Sequence, residues 1–190
     1  AQYANENKIS MPFLTQETGS FSEEIMQNKE NLTATQAFQA TRCFKQSKIT
    51  PKASLHAGLG LSCYVRVTSP IRRYLDLLVQ QQLVRFINNQ MTLDDSLIKQ
   101  RITQVNTVIS RVNKATRQSI EHFKCLFLKQ NNKWRGKGII VDFNANKATV
   151  LIPEIAMVVQ IKLKSKAQLE DQIELKAVSI NLENRSIDFK

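Results

Sequence analysis

Residues 68–79 read Thr-Ser-Pro-Ile-Arg-Arg-Tyr-Leu-Asp-Leu-Leu-Val, and this stretch contains the clearest helix start in the chain. Ser69 belongs to a residue type that caps helices, and Pro70 is favoured at the first helical position. The pattern therefore predicts a helix that starts at this Ser-Pro pair and runs to about Phe86, where two asparagines end it. Four apolar residues at helical spacing form its predicted buried face: Leu75, Leu78, Val79 and Leu83.

The first turn of this predicted helix carries two positive charges, although a helix N-terminus prefers an acid. Arg72 would occupy the third helical position, where a capping box has Glu or Gln, and Arg73 follows it. Two cations beside unpaired amide hydrogens favour an anion such as phosphate. The alternative is that Arg72 pairs with Asp76, one turn later, and only stabilises the helix. The residues alone leave both interpretations open.

Positive charge is concentrated in the middle of the chain. The 190 residues include 27 Lys and Arg against 16 Asp and Glu, which gives a net charge of +11. Between Arg42 and Lys129 there are fifteen basic and four acidic residues, so this segment carries the whole excess. A basic cluster attracts nucleic acid, but a merely solvated basic surface would have the same composition.

Composition also excludes several classes of protein. No apolar run approaches the roughly 18 residues that a membrane-spanning helix needs, and the N-terminus has no signal-peptide profile. The three cysteines, Cys43, Cys63 and Cys125, are an odd number without metal-ligand spacing, so we expect neither a disulfide framework nor a zinc site. These features predict a soluble, cytoplasmic protein that does not associate with membranes.

The remaining patterns predict an α+β fold in two domains. The first, residues 1–130, is mostly helical, with helices from about Ser22, over Thr33–Gln46 and over Leu93–Lys129. The second, residues 133–190, is expected to form a small five-stranded barrel. Its predicted strands are Trp134–Phe143, Lys147–Ile152, Ile155–Leu163, Ile173–Leu182 and Ser186–Phe189.

Two of the predicted helices have a defined apolar face. In the Thr33–Gln46 helix the inward residues are expected to be Ala37, Phe38, Thr41 and Phe44. The Leu93–Lys129 helix would be roughly 55 Å long if it is continuous, with Thr92 as a candidate cap. Its apolar residues recur at steps of three and four, at Ile98, Ile102, Val105, Ile109 and Val112, and again at Ile120, Phe123 and Phe127.

Several of these segments also carry a resemblance to a known family. The block at residues 68–79, preceded by His-Ala-Gly-Leu at 56–59 and by Tyr64, resembles the most distinctive part of the ribonuclease II/ribonuclease R family. The segment Ile9–Glu17, Ala-Thr-Arg at 115–117 and Lys-Cys at 124–125 are similar to the same family, in the same order. The resemblance implies the C-terminal portion of an RNB catalytic domain followed by an OB-like RNA-binding barrel.

The resemblance implies a processive 3′→5′ exoribonuclease that hydrolyses single-stranded RNA to nucleoside monophosphates with the help of magnesium. By this resemblance, Arg72 is the catalytic arginine at the scissile phosphate. Tyr74 is expected to pack beneath the motif. His56 and Tyr64 are candidates for RNA contacts, but a hydrogen-bonded loop histidine and a core tyrosine explain them as well. The expected RNA-phosphate contacts are Arg66, Thr68, Ser69 and Arg73.

This chain departs from the family pattern at several points. The cluster of closely spaced Asp residues that holds the metal is missing, and Asp94-Asp95 is better explained as charge at a helix N-terminus. We therefore expect this chain to bind no metal, and to be an inactive C-terminal piece of a longer magnesium-dependent enzyme whose metal site lies upstream. Further departures are Leu14 and Gln80-Gln81, where family members usually have Arg and His-Arg.

The terminal barrel offers little for binding RNA by base stacking. Its predicted second and third strands contain no aromatic residue. Trp134, Phe143 and Phe189 are its only rings, and core packing is their simpler explanation. The barrel is therefore expected to bind RNA weakly, through Lys162, Lys164 and Lys166 if at all.

Two other functions compete with that of a fragment of an active exoribonuclease. A divergent member of the family could keep its affinity for RNA and lose catalysis. Alternatively, a helical interaction protein could present its basic face to an acidic partner. The arginine motif with its Ser-Pro start argues against the last of these.

Overall fold

In the computed structural model the described residues are 1–27, 30–144, 147–163 and 166–190, and the side chain of Glu24 is not included. The helices are α1 (Gln2–Glu6), α2 (Glu23–Gln27), α3 (Ala34–Cys43), α4 (Tyr74–Ile87) and α5 (Asp95–Gln130). The strands are β1 (Phe13–Thr15), β2 (Lys48–Thr50), β3 (Arg135–Asn144), β4 (Lys147–Ile152), β5 (Met157–Ile161), β6 (Gln172–Asn181) and β7 (Ser186–Phe189). Across the described ranges, no helix is long and apolar enough to cross a membrane.

The chain divides into two compact units, of which the first comprises residues 1–20 and 42–112. Its core is formed by the segment before β1, by β1 itself and by α4, with Met11, Phe13 and Val79 almost completely buried. β1 pairs with β2 in antiparallel fashion, so that Phe13 lies opposite Thr50. The sequence did not indicate β2, because Pro51 directly after it reads as a breaker.

The second unit comprises residues 21–41 and 113–190 and contains a nearly closed five-stranded antiparallel barrel. The strand order is β5-β4-β3-β6-β7, and each strand bound lies within a few residues of the predicted one. Two glycines in β3 let other side chains approach its backbone closely. A Cβ on Gly138 would lie 2.4 Å from Val150 and 2.8 Å from Leu175, and one on Gly136 would lie 2.2 Å from the Trp134 ring.

The buried residues of the barrel come from three strands and are apolar except for Thr149 on β4. Ile140, Val150 and Ile152 are inaccessible to solvent, and Leu175 on β6 is only 2% exposed. Trp134 and Phe189 pack against this cluster, their ring centroids 6.1 Å apart, which confirms their predicted core role. Phe143, the third ring of the barrel, is 43% exposed. The division into domains at residues 130 and 133 remains a prediction.

The predicted inward face of the third helix is wrong at Ala37 and Thr41, whereas Phe38 and Phe44 are half-buried. In α3 the buried residue is Thr35, whereas Ala37 and Thr41 are exposed and Phe38 is half-buried. The reason lies in polar contacts from distant parts of the same unit. The amide of Thr35 donates to Oε1 of Glu170 at 2.6 Å, and its hydroxyl donates to the carbonyl of Ile140 at 3.4 Å. Burial and hydrogen bonding of Thr35 thus set the orientation of α3, which differs from the orientation that apolar spacing alone predicted.

The long helix is confirmed, with 36 residues in α5, but its predicted apolar stripe is buried only near the N-terminus of the helix, and Val112 is already 55% exposed. Ile98 and Ile102 are buried in the first unit. In the second half, Cys125 and Leu128 are buried instead, and three of the predicted stripe residues are exposed: Ile120 at 50%, Phe123 at 63% and Phe127 at 45%. The cap is also different, because Asp94, rather than Thr92, accepts a hydrogen bond from the amide of Leu97 at 2.9 Å.

Candidate phosphate-binding site

The segment between Thr68 and Arg73 is a turn, not the first turn of a helix. The carbonyl of Ser69 accepts hydrogen bonds from the amides of Arg72 at 3.3 Å and Arg73 at 3.0 Å, and α4 begins only at Tyr74. The predicted helix start is therefore wrong, and Arg72 does not occupy a helical position. The N-cap of α4 is Arg73, which has an extended backbone and makes no capping hydrogen bond with its side chain.

A buried carboxylate, Asp76, binds both ends of the turn before α4. Asp76 is 1% exposed, and its Oδ2 accepts the backbone amide of Ser69 at 3.0 Å. The same oxygen accepts Nε of Arg73 at 3.1 Å and Nη2 of Arg73 at 2.7 Å. Asp76 thus links the backbone at Ser69 to Arg73, and Arg73 stands at the N-cap of α4 in place of Ser69.

The two adjacent arginines therefore have different environments. Arg73 is partly buried and forms the ion pair with Asp76, which the sequence analysis had offered as an alternative for Arg72. Arg72 is exposed, and no described residue accepts a hydrogen bond or ion pair from its guanidinium. That alternative is therefore wrong for Arg72. The turn presents Arg72 to solvent as a free cation beside the N-terminus of α4.

The other predicted phosphate contacts flank this turn. Arg66 is exposed and, like Arg72, has no side-chain partner among the described residues. Thr68 is exposed, and its Oγ1 lies 3.5 Å from Nη2 of Arg73. Tyr74 was expected to pack beneath the motif, but it is the first residue of α4 and is 43% exposed.

His56 and Tyr64 face each other in the first unit. Their rings meet edge to face, with centroids 5.5 Å apart and planes at 84°. His56 is 8% exposed, and its Nδ1 has no hydrogen-bond partner within the described ranges. The loop that carries His56 is fixed by Gln16, whose Oε1 accepts the amide of Gly58 at 3.1 Å and whose Nε2 donates to the carbonyl of Lys45 at 3.0 Å. A direct RNA contact by either ring remains a prediction.

Comparison with known proteins shows what this part of the chain is similar to. Residues 1–89 match the model of the RNB domain, and these residues include the whole turn and α4. The resemblance to the ribonuclease II/ribonuclease R family is thereby confirmed.

Curated relatives of the chain agree with this match. Ribonuclease R of Buchnera aphidicola subsp. Schizaphis graminum is 28% identical in an alignment over 180 residues. The match covers 78% of this chain and 24% of the relative. An uncharacterized ribonuclease of Synechocystis is 22% identical over 153 residues, covering 78% of this chain and 23% of the relative. The chain thus spans about a quarter of the length of these relatives.

Solved structures show that the whole chain shares its fold with exoribonucleases. An active-site mutant of the Dss1 exoribonuclease from Candida glabrata aligns with a TM-score of 0.81 at 20% identity, covering 99% of this chain and 26% of that one. Mycoplasma genitalium RNase R in complex with ribose-methylated single-stranded RNA aligns with a TM-score of 0.69 at 18% identity, covering 100% of this chain and 39% of that one. At these identities the likeness concerns the fold alone.

The described carboxylates form no candidate metal cluster. No group of three or more potential metal ligands occurs among the described residues. Asp94 caps α5, and Asp95 accepts a hydrogen bond from the hydroxyl of Ser10. One oxygen of each carboxylate is therefore already engaged in the fold. The interpretation of this pair as helix N-terminal charge is confirmed for Asp94 by its hydrogen bond to Leu97.

Sequence reasoning missed the polar residues that hold the site in place. Gln80 donates to the carbonyl of Val67 at 3.0 Å. Gln82 is completely buried and makes three hydrogen bonds of 2.9 Å: to the carbonyls of Ser10 and Leu93, and from the amide of Leu93. The available signal was Gln82, which lies among Leu75, Leu78, Val79 and Leu83 on the predicted buried side of the helix, where an unpaired amide would be costly.

An exposed ion pair between Glu17 and Lys45 lies near strand β1. Glu17 accepts a hydrogen bond from Nζ of Lys45 at 2.7 Å. This hydrogen bond, the charge of Lys45 and the charge of nearby Lys48 hold the pKa of Glu17 below its ordinary value. Both partners of the pair are exposed, so the pair neutralises a cation locally and adds little to stability.

Proposed function

We propose that this chain supplies the arginine and the RNA-phosphate contacts of an RNB exoribonuclease that degrades single-stranded RNA in the 3′→5′ direction to nucleoside monophosphates. The observation that carries the proposal is the contrast between the two arginines. Arg73 is committed to the buried Asp76, whereas the Arg72 guanidinium is exposed and free among the described residues. A guanidinium that is fixed at its backbone and free at its tip can bind a phosphate in a bidentate manner.

The start of α4 adds to this positive potential. The amides of Tyr74 and Leu75 in its first turn have no acceptor within the described part of the chain. Unpaired amides and the helix dipole both favour an anion at this end. We propose that a phosphate binds Arg72 at this end of α4. Arg66, Thr68 and Ser69 are proposed to contact the RNA backbone nearby, and Arg73 to help position it.

The catalytic metal is proposed to come from elsewhere. Exoribonucleases of the RNB family generally depend on a divalent metal, but the described carboxylates of this chain do not suit one. We propose that magnesium is held by other residues of a longer, cytoplasmic enzyme. The expected result is that the 190-residue chain, incubated with labelled single-stranded RNA and Mg²⁺, releases no nucleoside monophosphates. Release that Arg72→Ala abolishes would contradict this part of the proposal.

A second candidate is an RNA-binding member of the family that has lost catalysis. It is favoured by the lack of an acidic cluster among the described residues and by the family His-Arg pair being replaced by Gln80-Gln81. In the barrel, Lys162 and Lys166 are exposed and available for weak binding, whereas Lys164 lies outside the described residues. Hydrolysis of RNA by a longer protein that contains this chain would exclude the second candidate.

Fluorescence anisotropy of a labelled single-stranded oligoribonucleotide tests the phosphate contact. Arg72→Ala should weaken binding by about 1–3 kcal/mol and reduce the salt slope by about one. Arg111→Ala is the matched control, because it removes an equal charge from an exposed position on α5. Equal losses in both variants would mean that the basic surface acts diffusely and would overturn the assignment of Arg72.

A further inference from the structure

Two side chains on α4 hold the turn that carries Arg72 through hydrogen bonds to its backbone. Asp76 and Gln80 lie four residues apart and therefore share one face of the helix. Asp76 holds the amide of Ser69 at 3.0 Å, and Gln80 holds the carbonyl of Val67 at 3.0 Å. We call Asp76 and Gln80, with these two backbone partners, the α4 clamp.

The clamp fixes both ends of the turn that carries Arg72. At the entry it binds the backbone at Val67 and Ser69, and at the exit Asp76 binds the guanidinium of Arg73 through two nitrogens. Between these points the carbonyl of Ser69 closes the turn by accepting two amides. Arg72 is the one cation of this turn that the clamp leaves free among the described residues.

From this geometry we infer that Asp76 and Gln80 are positioning residues: they pre-organise the turn so that Arg72 meets an RNA phosphate without first being ordered. The inference rests on the proposed phosphate contact of Arg72. A group that is already held in its binding geometry loses less conformational entropy when its ligand binds, which raises affinity without a new contact. Neither Asp76 nor Gln80 needs to touch the RNA.

The sign of the expected effect separates this role from simple electrostatics. Asp76→Asn removes a negative charge close to the site, so long-range electrostatics alone predicts tighter RNA binding. The clamp predicts the opposite, because the Arg73 guanidinium loses its ionic partner and the turn loosens. Gln80→Ala tests the same clamp without any change in charge, and it also serves if the Asp76 variant fails to fold.

A double-mutant cycle with anisotropy as the readout tests the inference. With Arg72 present, Asp76→Asn and Gln80→Ala should each weaken binding of a single-stranded oligoribonucleotide by about five- to tenfold. In the Arg72→Ala background each should change binding by less than about twofold, because the residues act through Arg72. Gln81→Ala, an exposed neighbour on α4, is the matched control and should leave binding unchanged.

The other outcomes distinguish failure of the clamp from failure of the proposed function. If Arg72→Ala weakens binding but the clamp variants do not, or do so equally in both backgrounds, the phosphate contact stands and the clamp is overturned. If Arg72→Ala has no effect, the phosphate contact fails. Any loss in the clamp variants would then have another origin, and the clamp as a device acting through Arg72 would fail with it. Tighter binding by Asp76→Asn would overturn the clamp in favour of electrostatics.

Discussion

Different interactions hold the barrel and the segment Val67–Gln82. In the barrel the inaccessible side chains are apolar, such as Ile140 and Val150, and strand pairing satisfies the backbone. In Val67–Gln82 the polar side chains of Asp76 and Gln80 bind backbone groups within the segment, and Gln82 binds backbone groups of Ser10 and Leu93 outside it. Apolar burial is non-directional, whereas each of these hydrogen bonds requires a particular donor and acceptor geometry.

This difference matches what each region has to do. A barrel core must exclude water, and many apolar combinations of the right volume achieve that. A site that presents a guanidinium to a phosphate has to hold it in one place, and directional hydrogen bonds do this better than apolar contact. The exposed Arg72 therefore lies in the region that buried polar groups hold in place.

The largest effect is expected from truncating the barrel core. Ile140→Ala should destabilise the second unit by about 3–5 kcal/mol, because it removes buried methylene groups and leaves a cavity among Val150, Ile152 and Leu175. Denaturant unfolding followed by the fluorescence of Trp134, the one tryptophan of the chain, reports on this unit. Val178→Ala on β6, which is 60% exposed, is the control and should cost under about 1 kcal/mol.

Within the segment Val67–Gln82, the largest loss of stability is expected from a substitution of Gln82. Gln82→Leu keeps the volume but leaves the carbonyls of Ser10 and Leu93 and the amide of Leu93 without their partner. Buried groups left unpaired in this way should lower stability by about 3 kcal/mol. Hydrogen exchange of the α4 amides measures the loss, with Gln81→Leu as the exposed control. Unchanged protection would mean that water replaces the glutamine at little cost.

The same contrast explains what the sequence could predict. Alternation of β-branched residues is a local pattern with a period of two, and it predicted all five barrel strands, with Lys147–Ile152 and Ser186–Phe189 matching the structure at both ends. The helical pattern from Leu93 to Lys129 was equally strong, and α5 confirmed it. Where local pattern and tertiary packing agree, the sequence alone is informative.

Local pattern failed where a distant side chain competes for a backbone group. Ser69 has the residue type of a cap, but the N-cap of α4 is Arg73, whose guanidinium pairs with the buried Asp76. Periodicity in α5 likewise identified apolar residues without saying which face is covered: Leu128 is buried in the second unit and Phe123 is not. Neither outcome follows from spacing, because both depend on which segments meet in three dimensions.

A smaller effect is expected at the N-terminus of α5. Asp94→Ala removes the acceptor for the amide of Leu97 and the negative charge beside the helix dipole. The loss should be about 1 kcal/mol in the stability of the first turn, whereas Asp94→Asn keeps an acceptor and should cost less. Hydrogen exchange at Leu97 measures both variants. If the two variants behave alike, charge rather than capping is what Asp94 contributes.

The smallest effect concerns a polar contact in the barrel unit. Glu170 accepts the amide of Thr35 at 2.6 Å at the start of α3. Partial burial acts to raise the pKa of Glu170, but hydrogen bonds from Thr35, Thr33 and Ala34 outweigh it and hold the pKa below its ordinary value. Since the folded state has the lower pKa, this contact stabilises the fold above the ordinary glutamate pKa and is lost as the pH falls through the lowered value.

An NMR titration of the Thr35 amide shift should therefore report a midpoint below the ordinary pKa of a glutamate. Glu170→Gln should abolish this titration and leave the amide shift independent of pH over the same range. Glu183→Gln is the matched control, because it changes a different exposed glutamate of the same unit and should leave the titration of the Thr35 amide unchanged. A midpoint at or above the ordinary value would mean that partial burial, rather than the hydrogen bonds to α3, dominates at Glu170.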